Sequence, residues 1–286
     1  MKGGISLKNF IHLSQAIEEM NVYLHETLKK SNKKLWENTY IKHQIDNRKN
    51  GHVFSLTEHI RGMVYAMLSS GISWERVEYG IDENTGKILP IEDIFHQFDP
   101  EFILSSSPDK LAKKIKELHC GSQSTHKQMD ALIRTNVPKL RLLEEEYKVI
   151  DACYEGIIQK DSSKKLLVKY LSDSASELKL AQMGEALNAE YLRNVGYDIA
   201  KPDRHIRRIL GSEILGCSSH KIVPIYEAMD IIHDIANYMG KQEAEIDYIL
   251  WSYCAKGFGE VCTKNKPRCE KCIIAHTIDC KSYCVT

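Results

Sequence analysis

The chain has 286 residues, enough for one large domain or two small ones with a real hydrophobic core. With 43% hydrophobic and 27% charged residues, its composition excludes a disordered polymer and fits a folded globular protein. Its 39 basic residues are balanced by 39 acidic ones, which argues against a uniformly basic nucleic-acid coat while leaving room for a basic face.

The opening, MKGGISLKNFIHLSQ, lacks the apolar stretch of a signal peptide. No later run nears the roughly 18 apolar residues of a membrane span. The protein is therefore expected inside the cell, without a membrane partner. Residues 8–46 read as a polar helical extension that ends in the charged connector DNRKNG. Ser55 and Glu58 form a capping-box pattern. Leu56, Ile60, Met63, Val64, Met67 and Leu68 then recur with the spacing of one buried helix face, and Ser69-Ser70-Gly71 ends it. A loop follows through Gly80, Asn84, Gly86 and Pro90. Shorter helices fill roughly 91–170, with breaks near Pro100, 105–108, Gly121 and Pro138. Helical patterning resumes over 224–254, ahead of a cysteine-rich end. Nothing long alternates with period two, so the expected class is all-α. The expected division is an N-terminal extension (1–50), a core (51–254) and a cysteine loop (255–286).

Two segments carry chemistry. In the first, Leu178, Leu180 and Met183 lead into Gly184, and a helix burying Leu187, Tyr191, Leu192 and Val195 runs to Gly196. This predicts a helical hairpin over about 178–196. The backbone N–H groups of Gly184, Glu185 and Ala186, at a helix start, are candidates to hold a phosphate; hairpins of this kind also serve packing alone. Asp203 follows Pro202 and precedes Ile206, Ile209 and Leu210, the position of an N-cap on a helix over 203–211. By itself that reads as capping.

In the second segment the spacing is Cys262-x6-Cys269-x2-Cys272-x7-Cys280, with Cys284 four residues on. Only Cys269 and Cys272 form a knuckle, an asymmetry that favours a four-iron cluster over a structural zinc site. Unligated core cysteines are the bland alternative. Lys264, Lys266 and Arg268 lie on the arch between the first two cysteines, where they could meet phosphates or simply face solvent.

GEVCTKNKPRCEKC resembles the iron–sulfur loop of the endonuclease III and adenine-glycosylase branch of helix-hairpin-helix DNA glycosylases. In that branch the gap before the fourth cysteine is usually shorter, so Cys280 is the expected fourth ligand and Cys284 its substitute. YLRNVGYDIAKPDRHI is similar to the hairpin and catalytic helix of the same superfamily, in wording closest to the archaeal-type 8-oxoguanine glycosylases. The resemblance spans roughly 54–282. It implies a helix-hairpin-helix glycosylase fold, a [4Fe–4S] cluster on Cys262, Cys269, Cys272 and Cys280, and Asp203 as the catalytic carboxylate. Its implied partner is double-stranded DNA with a damaged or modified base, bound by a monomer that is nucleoid-associated in a prokaryote or phage-infected cell and nuclear in a eukaryote.

The lysine that gives bifunctional relatives their strand-nicking activity falls on Ala186. The default expectation is therefore a monofunctional N-glycosyl hydrolase, with Lys179 or Lys201 as replacement lyase groups and a non-catalytic DNA-binding protein as the competing class. The glutamate of adenine-removing relatives falls on Tyr65. Tyr65, Ser69, Ser70 and Trp74 are candidates for the base pocket, with core packing the competing reading for Tyr65 and Trp74. His59, Arg61 and His205 carry no assignment.

Overall fold

Leu7–Lys30 forms helix α1 in the computed structural model, which describes residues 7–70, 80–82, 84–160 and 164–282. Gly71, Trp74 and Cys284 lie outside the described residues. The chain divides into two compact units, Met1–Thr39 with Asp198–Thr286, and Tyr40–Tyr197. The unit boundaries cut across the three-part division expected from sequence. The reason lies in α1: Leu13, Ala16, Ile17, Met20, Leu24 and Leu28 enter the same apolar cluster as residues from the C-terminal third of the chain. What reads as a polar extension thus contributes to a core. Two helices, not one, occupy 8–46, because a single 3₁₀ turn at Trp36–Asn38 precedes α2, Tyr40–Lys49.

In the second unit, α3 spans Leu56–Leu68 and begins with the reciprocal Ser55–Glu58 capping box. Short helices follow: α4 (Leu89–Ile94), α5 (Pro100–Ser105), α6 (Pro108–Glu117) and α7 (Thr125–Ala131). The break expected at Pro138 is instead a π turn, Leu132–Asn136, that carries the helix on into α8, Val137–Tyr147. Proline fits there because the first turn of α8 does not need its missing N–H. Then come α9 (Ile150–Ile158), α10 (Lys165–Ser172) and α11 (Glu185–Asn194).

Helix α11 crosses α3 closely. A Cβ on Gly62 would stand 3.0 Å from Val195 and 3.2 Å from Asn194. Asn194 Nδ2 donates to the Gly62 carbonyl at 3.0 Å, so the missing side chain sets the crossing distance. A buried polar knot braces the same pair. Asp151, 8% exposed at its side chain, accepts from Arg48 Nη2 (2.8 Å), Phe54 N (3.0 Å) and Tyr197 Oη (3.2 Å). His59, fully buried, places Nε2 3.3 Å from Asp151 and pairs Nδ1 with the Tyr191 hydroxyl at 2.6 Å. Sequence leaves His59 unassigned; it is a core histidine.

The first unit resumes with α12 (Arg204–Ile209), α13 (Ile225–Met239) and α14 (Glu243–Cys254). Gly240, at φ +63°, separates the last two. The cysteine-rich end has little regular structure beyond the 3₁₀ turn Cys269–Lys271. Among the described residues the only extended pairing is the isolated bridge Ile81–Ile88, so the all-α class holds. No described helix is long and apolar enough to cross a membrane.

Candidate active site and cysteine loop

Asp203 is fixed from both sides. Upstream, Asp198 Oδ1 accepts from Ala244 N at 2.9 Å, and Lys201 N donates to Asp247 Oδ1 at 2.9 Å, which pins 198–201 to the start of α14. Downstream, Asp203 is the N-cap of α12: its Oδ1 accepts from His205 N (2.7 Å) and Ile206 N (3.1 Å). Capping therefore occupies one carboxylate oxygen. Among the described residues Oδ2 accepts no hydrogen bond. The capping and the chemical readings of Asp203 are compatible, because each uses a different oxygen. Beside it, burial holds His205 below the usual histidine range.

Helix α12 also reaches the cysteine loop. Arg208 Nη1 donates to Cys262 Sγ at 3.5 Å, and Nη2 donates to the Cys262 carbonyl. The Cys254 thiol, assisted by Arg208, brings Cys262 down to about 6. Tyr253 Oη donates to Cys272 Sγ at 3.6 Å. Cys262, Cys272 and Cys280 pack against one apolar cluster, and Cys269 is buried in the 3₁₀ turn. Among the described residues, no three His, Cys, Asp or Glu side chains converge on one point closely enough to hold a metal ion. In donor chemistry the four thiols would suit an iron–sulfur cluster: they are soft, three of them pack against one apolar cluster, and a guanidinium is aimed at one sulfur.

The basic arch is less uniform than its sequence. Lys264 and Lys266 are exposed, whereas Arg268 Nη2 is 2.5 Å from Glu260 Oε2. That pairing makes Arg268 the weakest of the three phosphate candidates.

In the second unit, the stretch 178–183 is not the first helix of the hairpin. Asp173 Oδ1 accepts from Ala175 N and Ser176 Oγ from Leu178 N, local bonds that compete with helix and leave a turn-rich connector between α10 and α11. Asn136, fully buried, clamps this connector through two bonds to the Ala181 backbone, 3.0 and 2.7 Å. The α11 N-terminus is left uncapped by any side chain, with Gly184 at the N-cap. Gly184 has ordinary extended dihedrals (φ −84°, ψ 178°), and a Cβ there would meet nothing within 4 Å. The fold does not require this glycine, so its value lies in what approaches from outside. Gly184→Ala is expected to change stability by less than about 1 kcal/mol, because the lower unfolded-state entropy and the poorer alanine N-cap oppose each other; thermal melting of the variant checks this.

Two lysines meet here, Lys179 on the connector and Lys139 on α8. Lys179 Nζ donates to the Met183 carbonyl at 2.8 Å, and Lys139 Nζ donates to the Lys179 carbonyl at 2.7 Å. Burial lowers both ammonium groups from the usual lysine range, and for Lys179 the nearby Lys139 adds to this while Glu185 opposes it.

Of the expected base-pocket residues, Tyr65, Ser69 and Ser70 are described and Trp74 is not. Tyr65 is 4% exposed, and its hydroxyl donates to Glu92 Oε1 (2.7 Å) while accepting from Ile88 N (2.8 Å). It is a core aromatic with a satisfied polar end. Ser69 Oγ donates to Ala66 O on its own helix at 2.7 Å, as a C-cap, and Ser70 is half-buried beside it.

No family model matches the chain. It superposes with a TM-score of 0.50 on the 8-oxoguanine glycosylase/lyase of Methanocaldococcus jannaschii, solved in complex with a 15mer DNA containing 8-oxoguanine. The match covers 82% of this chain and 95% of that one, at 20% identity. The two share a fold. A second structure, the 8-oxoguanine DNA glycosylase from the same organism, gives a TM-score of 0.48 at 21% identity over 86% of this chain and 95% of that one. In sequence, 100 residues are 30% identical to the 8-oxoguanine DNA glycosylase/AP lyase of Aquifex aeolicus (strain VF5). That is 34% of this chain and 44% of the relative, so the matched region spans less than half of that protein.

Proposed function

We propose that this chain is a base-excision DNA glycosylase that removes an oxidised purine, with 8-oxoguanine first among candidates, from duplex DNA. The observation that carries the reading is Asp203: a half-buried carboxylate, held by two backbone N–H groups on one oxygen and, among the described residues, unbonded on the other. The shared fold and the names of the similar proteins support it. The target nucleotide leaves the stack at a cost of a few kcal/mol. As the C1′–N bond breaks, its electron pair leaves on the base, which takes up a proton, and the sugar becomes oxocarbenium-like. Asp203 Oδ2 would stabilise that cation and orient the water whose oxygen joins C1′. In the second unit the uncapped α11 N-terminus at Gly184 would hold a phosphate without reading sequence; in the first, Lys264 and Lys266 would do so on their own.

A second reading adds lyase activity, favoured by the Lys139–Lys179 pair in place of the lysine missing at Ala186. Burial and a neighbouring cation both lower the pKa of Lys179, the direction that activates an amine. The Lys179 amine would condense with the C1′ aldehyde of an abasic sugar, releasing water. Loss of a C2′ proton would then expel the 3′ phosphate. One duplex carrying 8-oxoguanine tests both readings. Cleavage only after alkali means hydrolysis, and direct nicking with a borohydride-trapped adduct that disappears in Lys179→Gln means lyase. No released base from any oxidised-purine duplex would overturn the glycosylase reading and leave a DNA-binding protein.

For the cluster, we propose that Cys262, Cys269, Cys272 and Cys280 would hold [4Fe–4S], which when bound would brace the arch carrying Lys264 and Lys266. The purified protein should be brown, with broad absorption near about 400 nm. Cys280→Ser should lose iron more readily than Cys284→Ser. Zinc without iron on metal analysis would overturn the assignment.

A further inference from the structure

The second unit contains a polar cavity of about 350 Å³ between α2, the first half of α3 and the 81–88 loop. Tyr40, Gln44 and Asn47 line it from α2, Arg61 from α3, and Asn84 and Lys87 from the loop. Its floor is built before any ligand arrives. Glu92, 1% exposed, accepts from Arg61 Nε at 2.9 Å and from Nη2 at 3.1 Å, and its Oε1 also accepts the Tyr65 hydroxyl. This fork fixes the guanidinium plane and offsets its charge. Among the described residues Arg61 Nη1 has no hydrogen-bond acceptor, although Arg61 is only 7% exposed. Tyr40 leans on Tyr65 with ring centroids 5.7 Å apart. Among the described residues its hydroxyl has no hydrogen-bond partner, and burial raises its pKa. The loop wall is also set: Asp82 Oδ1 accepts from Thr85 N and Oγ1, both at 2.7 Å, and Gly86 packs against Tyr40.

The lining chooses its ligand. A guanidinium already neutralised by Glu92 is a poor anion trap, but its free Nη1 still donates two directed hydrogen bonds. Glu58, also on the wall, is paired with His52 at 2.9 Å. The amides of Gln44, Asn47 and Asn84 offer donors and acceptors side by side, the pattern that reads the edge of a neutral heterocycle. Arginine facing ring-carbonyl and ring-nitrogen acceptors is the commonest guanine contact. The volume is at the small end for ligand pockets, which suits a single base or nucleoside and not a chain. We propose that this cavity binds one guanine-type purine, through Arg61 Nη1 and the amide wall. The choice of purine rests on the proposed glycosylase reading; the existence of a polar single-base site does not.

The test uses the full chain and soluble nucleosides, guanosine and 8-oxoguanosine, with cytidine as the control, titrated by calorimetry. Gln44→Leu and Asn47→Leu change side chains on the outer wall and leave the Arg61–Glu92 floor intact. Saturable binding of a guanine nucleoside, stronger than that of cytidine and weakened about tenfold by either variant, is the expected result, the scale of one or two lost hydrogen bonds. Absence of binding, or binding that neither variant alters, would overturn the inference. A chain that excises 8-oxoguanine from duplex DNA but shows no cavity-dependent nucleoside binding loses this inference and keeps the glycosylase reading. Cavity-dependent guanosine binding without excision from any duplex does the reverse.

Discussion

Asp203→Asn is expected to lower single-turnover base excision by roughly 10²–10⁴-fold, the usual scale for a positioned acid–base group. The geometry explains why fold and activity should separate. The two N–H groups of His205 and Ile206 are satisfied by Oδ1, an oxygen that asparagine keeps. An Asn cap is about as good as an Asp cap, so α12 should form and the melting temperature should hold. The substitution replaces Oδ2, which has no partner among the described residues, by an amide that carries no negative charge to offset the sugar cation. Duplex affinity should persist or tighten, since one anion near the DNA backbone is gone. If Asp203 only caps α12, the variant should instead excise normally, and any loss should follow a fall in melting temperature. Measuring excision, affinity and melting on one preparation distinguishes the two, and full activity would remove the proposed mechanism.

Asp151→Ala should destabilise the chain by about 3–5 kcal/mol, the usual cost of breaking a buried ion pair by removing one partner. For a protein of this size that is a fall in melting temperature of roughly 6–20 °C. The loss strands Arg48, the Phe54 N–H and the Tyr197 hydroxyl together. Arg48 keeps its bonds to the Val195 carbonyl (2.9 and 2.7 Å), which places the result nearer the lower bound. A loss under about 1 kcal/mol in urea denaturation would show that those carbonyl bonds, with the Glu155 pair and the Phe54 and Tyr197 rings, are enough to hold Arg48.

The same knot sets an acid dependence. Burial keeps His59 below the usual histidine range, so as pH falls through about 6.5 the unfolded chain gains a proton that the folded one refuses, and stability drops. His59 and Arg48 hold Asp151 well below the usual carboxylate range against the opposing effect of burial. Its contribution is full above about pH 4 and is lost as pH falls below that. Stability should therefore decline in two stages on acidification, the upper stage shrinking in His59→Gln to what the similarly held His205 contributes.

The candidate residues were legible in the sequence because their signals are local. Ser55 and Glu58 cap each other across three residues, Asp203 caps the helix it precedes, and the four cysteines lie within one short loop. The all-α class followed from periodicity, another local property. What the sequence could not determine depends on partners distant along the chain. The α1 stripe looks merely amphipathic until Ile246, Leu250 and Tyr253 cover it, so an apparent extension is a core element. Tyr65 lies where a base pocket was expected, but Glu92, 27 residues away, takes its hydroxyl and buries it. Arg268 belongs by sequence to a basic arch, yet Glu260 pairs with it across a turn. Lys139 and Lys179, 40 residues apart, become a pair only because the Asn136–Ala181 clamp folds the connector against α8. Local spacing fixes caps and turns through backbone geometry. Burial and pairing depend on which distant side chain arrives, and only the tertiary fold decides that.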